Sequence, residues 1–193
     1  KVWLRVAVME KIRFDIISTP WGHVAAGLSK HGLRHLVLPA ADKKQAFEQL
    51  CRQIRDEQLV PDNKHPVFKR LGQQLKWYFQ GRPVEFDFKL DYNVATVFQR
   101  QVWCVARTIP HGATRTYGWV ADKIGDPDSR RAVGQALNAN PLPLLVPCHR
   151  VTAVGGKLGG FAGSGGPEFK SRLLKLEGAI LASLAAGAEI HVG

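Results

Sequence analysis

The sequence predicts two units of different class. The first is an α/β unit built on a small antiparallel sheet with helices; the second is mainly helical and contains a helix-turn-helix. Three observations carry this. Short β-like runs punctuated by turn residues fill the first third. Two helical periodicities follow before residue 80. Beyond residue 92 strand signals nearly vanish, and short helices with Gly/Pro turns replace them. The predicted domains are 9–91 and 92–180, with 1–8 and 181–193 as terminal extensions.

In the first unit, residues 12–18, 23–29 and 33–38 read as strands of an antiparallel meander, parted by Pro20-Trp21-Gly22 and Lys30-His31-Gly32. Asp42 can cap a helix whose apolar face is Phe47, Leu50, Cys51 and Ile54, spaced i, i+3, i+4, i+7, so Cys51 reads as core packing. DEQLVPDNKHP reads as a polar loop. A second helix is expected from Pro66 to Phe79, stopped by Gly81 and Pro83. Val84, Phe86, Phe88 and Leu90 alternate with charged residues, the pattern of one more strand.

In the second unit, 97–107 form a helix ending at the turn Ile109-Pro110-His111-Gly112, with Cys104 inside it as structural filler. Thr116 is a fair N-cap for a short helix carrying Val120, Ala121 and Ile124, which Gly125 ends. After a turn at 126–128, Ser129 can cap a second helix with Ala132, Val133, Ala136 and Leu137 on one face. Two short helices around a Gly-containing turn describe a helix-turn-helix. Arg115, Lys123, Arg130 and Arg131 give that unit a positive surface.

Composition bounds the function classes. The chain has 193 residues, 45% hydrophobic and 22% charged, as in ordinary globular proteins, but 27 Lys+Arg against 16 Asp+Glu leave a net +11. Such an excess makes nucleic acid the first partner to consider. No run approaches the roughly 18 apolar residues of a membrane helix, and the start scatters charges through its apolar residues rather than forming a signal peptide. The three cysteines, Cys51, Cys104 and Cys148, are far apart and odd in number, with no CxxC or Cys/His spacing for zinc. The expectation is a reducing, cytoplasmic compartment, with no metal, cofactor or membrane.

The chemistry concentrates at LLVPCHRV. Pro141, Pro143 and Pro147 hold this stretch extended, and can present Cys148 at a fixed place. A thiol reacts as thiolate, which needs a base or cation. His149 is adjacent and can act through a bridging water, and an acid could orient it. The residues alone leave that acid open. Downstream, at least six glycines within twelve residues permit close backbone approach to a ligand, and a last helix at 168–178 carries Leu173, Leu174 and Leu176, with Lys170 and Glu177 as possible site residues.

PCHRV, preceded by RAVGQALNANPLPLLV and followed by the glycine loop and LLKLEG, resembles the O6-alkylguanine-DNA alkyltransferases, the methylated-DNA–protein-cysteine methyltransferases. FQRQVWCVARTIPHGATRTYGWVA resembles that family's second domain and TPWGHVAAGLSKHGLRHLVLP its first, so the likeness spans about residues 12–178. The resemblance implies a ribonuclease-H-like α/β first domain and a DNA-binding second domain acting on double-stranded DNA containing O6-alkylguanine, with O4-alkylthymine as a further lesion. The base is flipped from the duplex, and the helix-turn-helix lies in the minor groove.

Carried over residue by residue, Cys148 attacks the alkyl carbon, His149 takes its proton through water and Glu177 orients His149. Arg131 fills the gap left by the flipped base, with Thr116, Tyr117, Ala132 and Gly134 on the DNA side. Tyr117 also assists proton delivery to guanine, and Asn140 ties the recognition helix to the site. Carbonyls of Cys148 and Val151 accept from the guanine amine, backbone near Ala162 donates to O6, and Lys170 lines the pocket. The thioether is stable, so each molecule acts once, as a monomer.

Two departures stand out. The stretch between Phe161 and Lys170 is longer than the family pattern, and Phe161 replaces a common tyrosine. The N-terminal cysteines of the family's metal site are missing, so no zinc is expected. A non-transferring sensor of alkylated DNA with the same fold and a cysteine hydrolase acting by acyl transfer are the rival readings.

Overall fold

In a computed structural model, residues 10–54, 57–159 and 166–178 are described. The chain opens with β1 (Glu10–Thr19), β2 (Gly22–Ser29) and β3 (Gly32–Leu36). β1 pairs antiparallel with β2, with Ile16 opposite Ala25, and β2 pairs antiparallel with β3. This is the meander the turn residues predict. Gly22 and Gly32 make its reversals at positive φ, and a Cβ at either would come within 2.4 Å of a backbone oxygen of a neighbouring segment.

α1 (Lys43–Gln53) follows, and Asp42 accepts from the Gln45 N–H as its cap at 2.8 Å. Its buried residues are Ala46 and Leu50, which pack on Ala25 and Val37 of the sheet. Cys51 lies one position past Leu50, a rotation of about 100°, and is exposed rather than part of the core. The stretch read as a polar loop contains a fourth strand, β4 (Glu57–Pro61), which runs parallel to β1 and gives the sheet order β3-β2-β1-β4. As an edge strand ending in proline with little burial, β4 lacks the alternating apolar signal.

α2 (Pro66–Phe79) covers the other face of the sheet: Val24, Ala26 and Leu28 alternate away from α1 and join Phe68, Leu71 and Leu75. Residues 84–90 form no ladder. Phe88 is buried and Phe86 half-buried against α2, while the backbone bonds there are local, Asp87 N–H to Glu85 O and Phe88 N–H to Phe86 O. The alternation there reflects one-sided packing, with only a bridge between Leu33 and Leu90.

α3 (Val97–Arg107) has a capping box, Thr96 with Gln99. Its Val102, Trp103 and Ala106 are buried, whereas Cys104, again one step round the helix, is exposed rather than filling the core. The remaining elements are β5 (Arg115–Thr116), α4 (Tyr117–Lys123), α5 (Arg130–Asn138), β6 (Val151–Thr152) and α6 (Gly166–Leu176). One apolar cluster runs without a break from the sheet and α2 through Trp103, Val133 and Leu142 to Leu173. Among the described residues no helix is long and apolar enough to cross a membrane.

Candidate active site

The site is built on the turn between α5 and β6. Asn140, just past α5, ties this turn together: its Oδ1 accepts from the Leu142 N–H and its Nδ2 donates to the Val146 carbonyl, both at 2.9 Å. The same Nδ2 lies 3.4 Å from Cys148 Sγ. Leu144 is the one non-glycine residue at positive φ among those described, at 73°. Pro147, at φ −77° and ψ 63°, forms the centre of an inverse γ-turn closed by the Cys148 N–H on the Val146 carbonyl at 2.8 Å. Proline's fixed φ suits that geometry, so the cysteine is aimed by backbone that cannot swing. A 3-10 turn, Cys148–Arg150, then buries three consecutive polar side chains.

His149 turns its Nε2 to Glu177 Oε1 at 2.9 Å, and its buried Nδ1 has no hydrogen-bond partner among the described residues. Glu177 itself collects donors: Tyr78 Oη at 2.7 Å, Arg150 Nε and Nη2 at 2.9 and 3.0 Å, and the Gly112 N–H at 3.3 Å. Arg150 Nη1 donates in turn to the Ile109 carbonyl. Burial alone would push the Glu177 carboxyl up, but the hydrogen bond from His149 and the hydrogen bonds and charge of Arg150 outweigh it and hold it far below the usual range. Burial drives His149 down despite Glu177, so the resting imidazole is neutral. An ionised carboxylate only accepts, so Nε2 carries the proton and Nδ1 keeps the basic lone pair.

Burial pushes the Cys148 thiol up, against the opposing pull of Asn140 and the Lys170 charge. Lys170 on α6 is fully buried; burial lowers it to about 8 although Cys148 favours its charge. Its Nζ donates to the Val151 carbonyl at 2.6 Å and stands 5.8 Å from the centre of the Tyr117 ring. The Cys148 carbonyl already accepts from the Val151 N–H. Each of these two carbonyls therefore has a lone pair engaged within the protein. Burial, and the nearby Cys148, push the Tyr117 hydroxyl up.

Tyr117 is placed by the start of the helix-turn-helix. Thr116 caps α4 by accepting from the Trp119 N–H at 3.1 Å, and β5 pairs in parallel with β6, setting Thr116 beside Thr152. Gly125, at φ 80°, ends α4. Ser129 precedes α5 but does not cap it, because its hydroxyl donates back to the Asp126 carbonyl at 2.7 Å. On α5, Arg131 is exposed and Ala132 and Gly134 are half-buried; a Cβ on Gly134 would meet the Tyr117 ring at 3.8 Å. Trp103 Nε1 anchors the helix by donating to the Ala136 carbonyl.

Cys148, His149, Glu177, Asn140, Tyr117, Lys170 and Val151 thus converge, and Thr116, Ala132, Gly134 and Arg131 lie on the adjoining helix pair. Ala162, like Phe161 and the rest of 160–165 in the glycine loop, lies outside the described residues. Sequence reading missed Tyr78 and Arg150. Arg150 had a usable signal, being in PCHR itself. Tyr78 had none, since 99 residues part it from Glu177.

Comparison with known proteins fits this arrangement. Residues 12–92 match the 6-O-methylguanine DNA methyltransferase ribonuclease-like domain, and 97–179 match the 6-O-methylguanine DNA methyltransferase DNA-binding domain. A methylated-DNA–protein-cysteine methyltransferase of Methanosarcina acetivorans is 38% identical over 86% of this chain and 97% of its own. The Mycobacterium tuberculosis O6-methylguanine methyltransferase structure matches with a TM-score of 0.69 at 36% identity, covering 87% of this chain and 93% of that one. A Mycobacterium tuberculosis OGT structure in complex with DNA matches at 0.70 and 37%, covering 88% and 93%. With both domain profiles matched in order and a relative aligned over nearly its whole length, the chain belongs to the methylated-DNA–protein-cysteine methyltransferase family.

Proposed function

We propose that the protein repairs double-stranded DNA directly, moving the alkyl group of O6-alkylguanine onto Cys148 after flipping the base out of the duplex. O4-alkylthymine is a further substrate of the same chemistry. The observation that carries this reading is one buried cluster: Cys148 Sγ beside Asn140, followed at once by a neutral His149 oriented by Glu177.

His149 Nδ1 takes the thiol proton through a bridging water, and Glu177 stabilises the imidazolium. Lys170 and Asn140 support the thiolate. The sulfur attacks the alkyl carbon in line; the S–C bond forms, the C–O6 bond breaks, and guanine leaves with the electron pair, taking a proton from Tyr117. Nothing in this scheme breaks the thioether, so each molecule acts once. The Cys148 and Val151 carbonyls are assigned to the guanine amine, and the backbone near Ala162 to O6.

Arg131 enters the stack in place of the flipped base, and Thr116, Tyr117, Ala132 and Gly134 face the backbone around it. Such a protein acts as a monomer in the cytoplasm, at the nucleoid in a prokaryote, with 9–91 supporting and 92–180 reading DNA.

The test is to mix the protein with duplex DNA carrying O6-methylguanine and weigh the peptide containing Cys148. A gain of one methyl per molecule, lost in Cys148→Ser, is expected. Binding without a mass change would overturn the transfer reading, and repeated turnover would favour a hydrolase.

A further inference from the structure

The positive charge of this chain is not confined to the helix-turn-helix. Within residues 10–91, Arg34 alone engages three acids: Asp91 and Glu10 at 2.6 and 2.7 Å, and Glu57 at 3.2 Å. Arg34 and Asp91 are buried. That leaves thirteen other Lys and Arg against seven other acids for the rest of this segment. One internal cation thereby turns acids away from the outer face and leaves it cationic.

Those cations gather at a groove of about 680 Å³, where Lys11, Arg13, Lys30, Arg70 and Lys89 meet His31 and His65; among the described residues no acidic side chain lines it, although Asp62 beside it pairs with Arg13 at 3.3 Å. Its walls are fixed. The hairpin tip at Gly32 is zipped to the 89–91 segment by the Leu33 N–H on the Lys89 carbonyl and the Asp91 N–H on the Leu33 carbonyl, at 2.9 and 2.8 Å. Phe88 floors the groove, with the Arg70 guanidinium 4.2 Å over its ring. The third wall is the first turn of α2, which carries no acid. Tyr78, at the other end of that helix, touches Glu177, so the groove lies about 20 Å from the carboxylate behind His149.

We propose that this groove is a second DNA-contacting surface, seating the phosphate backbone of the duplex that flanks the lesion. It rests on the reading that DNA is the substrate. A rigid concave surface with four cations besides Arg13, which pairs with Asp62 at its edge, complements a polyanion whose charges recur at regular spacing. An offset of about 20 Å corresponds to roughly six base pairs, so the groove adds affinity without touching the altered base.

The experiment compares the full chain with two triple variants of equal net charge. One alters the groove, Lys11→Glu, Lys30→Glu and Lys89→Glu; the other alters exposed cations elsewhere, Lys43→Glu, Arg52→Glu and Lys76→Glu. Affinity for lesion-bearing duplexes of about 30 and about 10 base pairs is followed against salt. On the long duplex the groove variant should lower the salt slope by about 2 to 3 relative to the control, each lost phosphate contact removing ~0.9. On the short duplex the two should agree.

All variants should react with free O6-benzylguanine at the parent rate, showing an intact fold. If the triple variant does not, Lys30→Glu alone should still lower the slope by ~0.9. Equal slopes for groove and control on the long duplex, or equal losses on both lengths, would overturn the proposal. Failure of the parent to take up the alkyl group while the slopes still differ would instead remove the transfer reading and leave the groove standing.

Discussion

Arg150 grips both oxygens of Glu177, Oε2 through Nε at 2.9 Å and Oε1 through Nη2 at 3.0 Å, so the carboxylate that orients His149 is itself locked in place. Removing one member of such a buried pair strands the other. Arg150→Met should cost about 3–5 kcal/mol in denaturant unfolding. The pH dependence has a definite sign. Glu177 has a folded-state pKa below its unfolded one, so its contribution is present above an ordinary glutamate pKa of about 4.3 and is lost as pH falls below it. In Arg150→Met the Glu177 carboxyl rises, and that acid-side loss should shrink. An unchanged loss between pH 5 and 3 would show that Arg150 does not hold the carboxylate down.

Lys170 carries the same sign in an alkaline window for a different reason: burial penalises its charge, whereas partners favour the charge of Glu177. Its folded pKa of about 8 lies below the unfolded value, so between about 8 and 10.4 the unfolded chain binds more protons and stability rises with pH. Measured in a Cys148→Ala background, the chain should gain stability over that window relative to the same background with Lys170→Met. Parallel curves would mean that Lys170 is not depressed.

Gly159 sits at φ 65°, and a Cβ there would stand 2.8 Å from Tyr117 Oη and 3.0 Å from Cε2. Gly159→Ala should cost about 1 kcal/mol through the backbone conformation. By displacing Tyr117 it should also slow alkyl transfer from duplex DNA about tenfold, a loss of transition-state stabilisation of about 1.4 kcal/mol. Stopped-flow transfer rates beside the unfolding curve test both parts. A stability change with full transfer rate would remove Tyr117 from the proposed proton delivery.

Arg131 is exposed on the first turn of α5, and its proposed part is in DNA handling rather than in the thiol's chemistry. Arg131→Ala should therefore slow repair of duplex DNA at least tenfold while leaving reaction with free O6-benzylguanine within about twofold. Equal losses on both substrates would refute its place in the base stack.

What could be read from the sequence depended on how local its cause was. Asp42, Thr116 and the termini of α2 and α3 act within a turn of themselves, and their elements stand where capping and breaker residues put them. β4 was invisible because its partner is β1, more than forty residues earlier, and its burial is slight. The 84–90 run shows the converse error: alternation reports which side is buried, not whether a neighbour supplies hydrogen bonds. Cys51 and Cys104 show that a helical stripe fixes a face only to within one residue. At the site, PCHR and Asn140 were legible because one short turn holds them. Linking Glu177 to His149 came from resemblance, and Tyr78 needed the tertiary fold.

That tyrosine changes how the molecule's halves should be regarded. A ribonuclease-like unit joined to a DNA-reading unit looks like two modules that could be exchanged between relatives. Yet Tyr78, from α2, completes the donor set of the carboxylate behind His149. A chimaera that keeps 92–180 but takes its first domain elsewhere inherits the cysteine and histidine without their full support. The first domain is in this sense part of the catalytic inheritance, and the two must evolve as one piece.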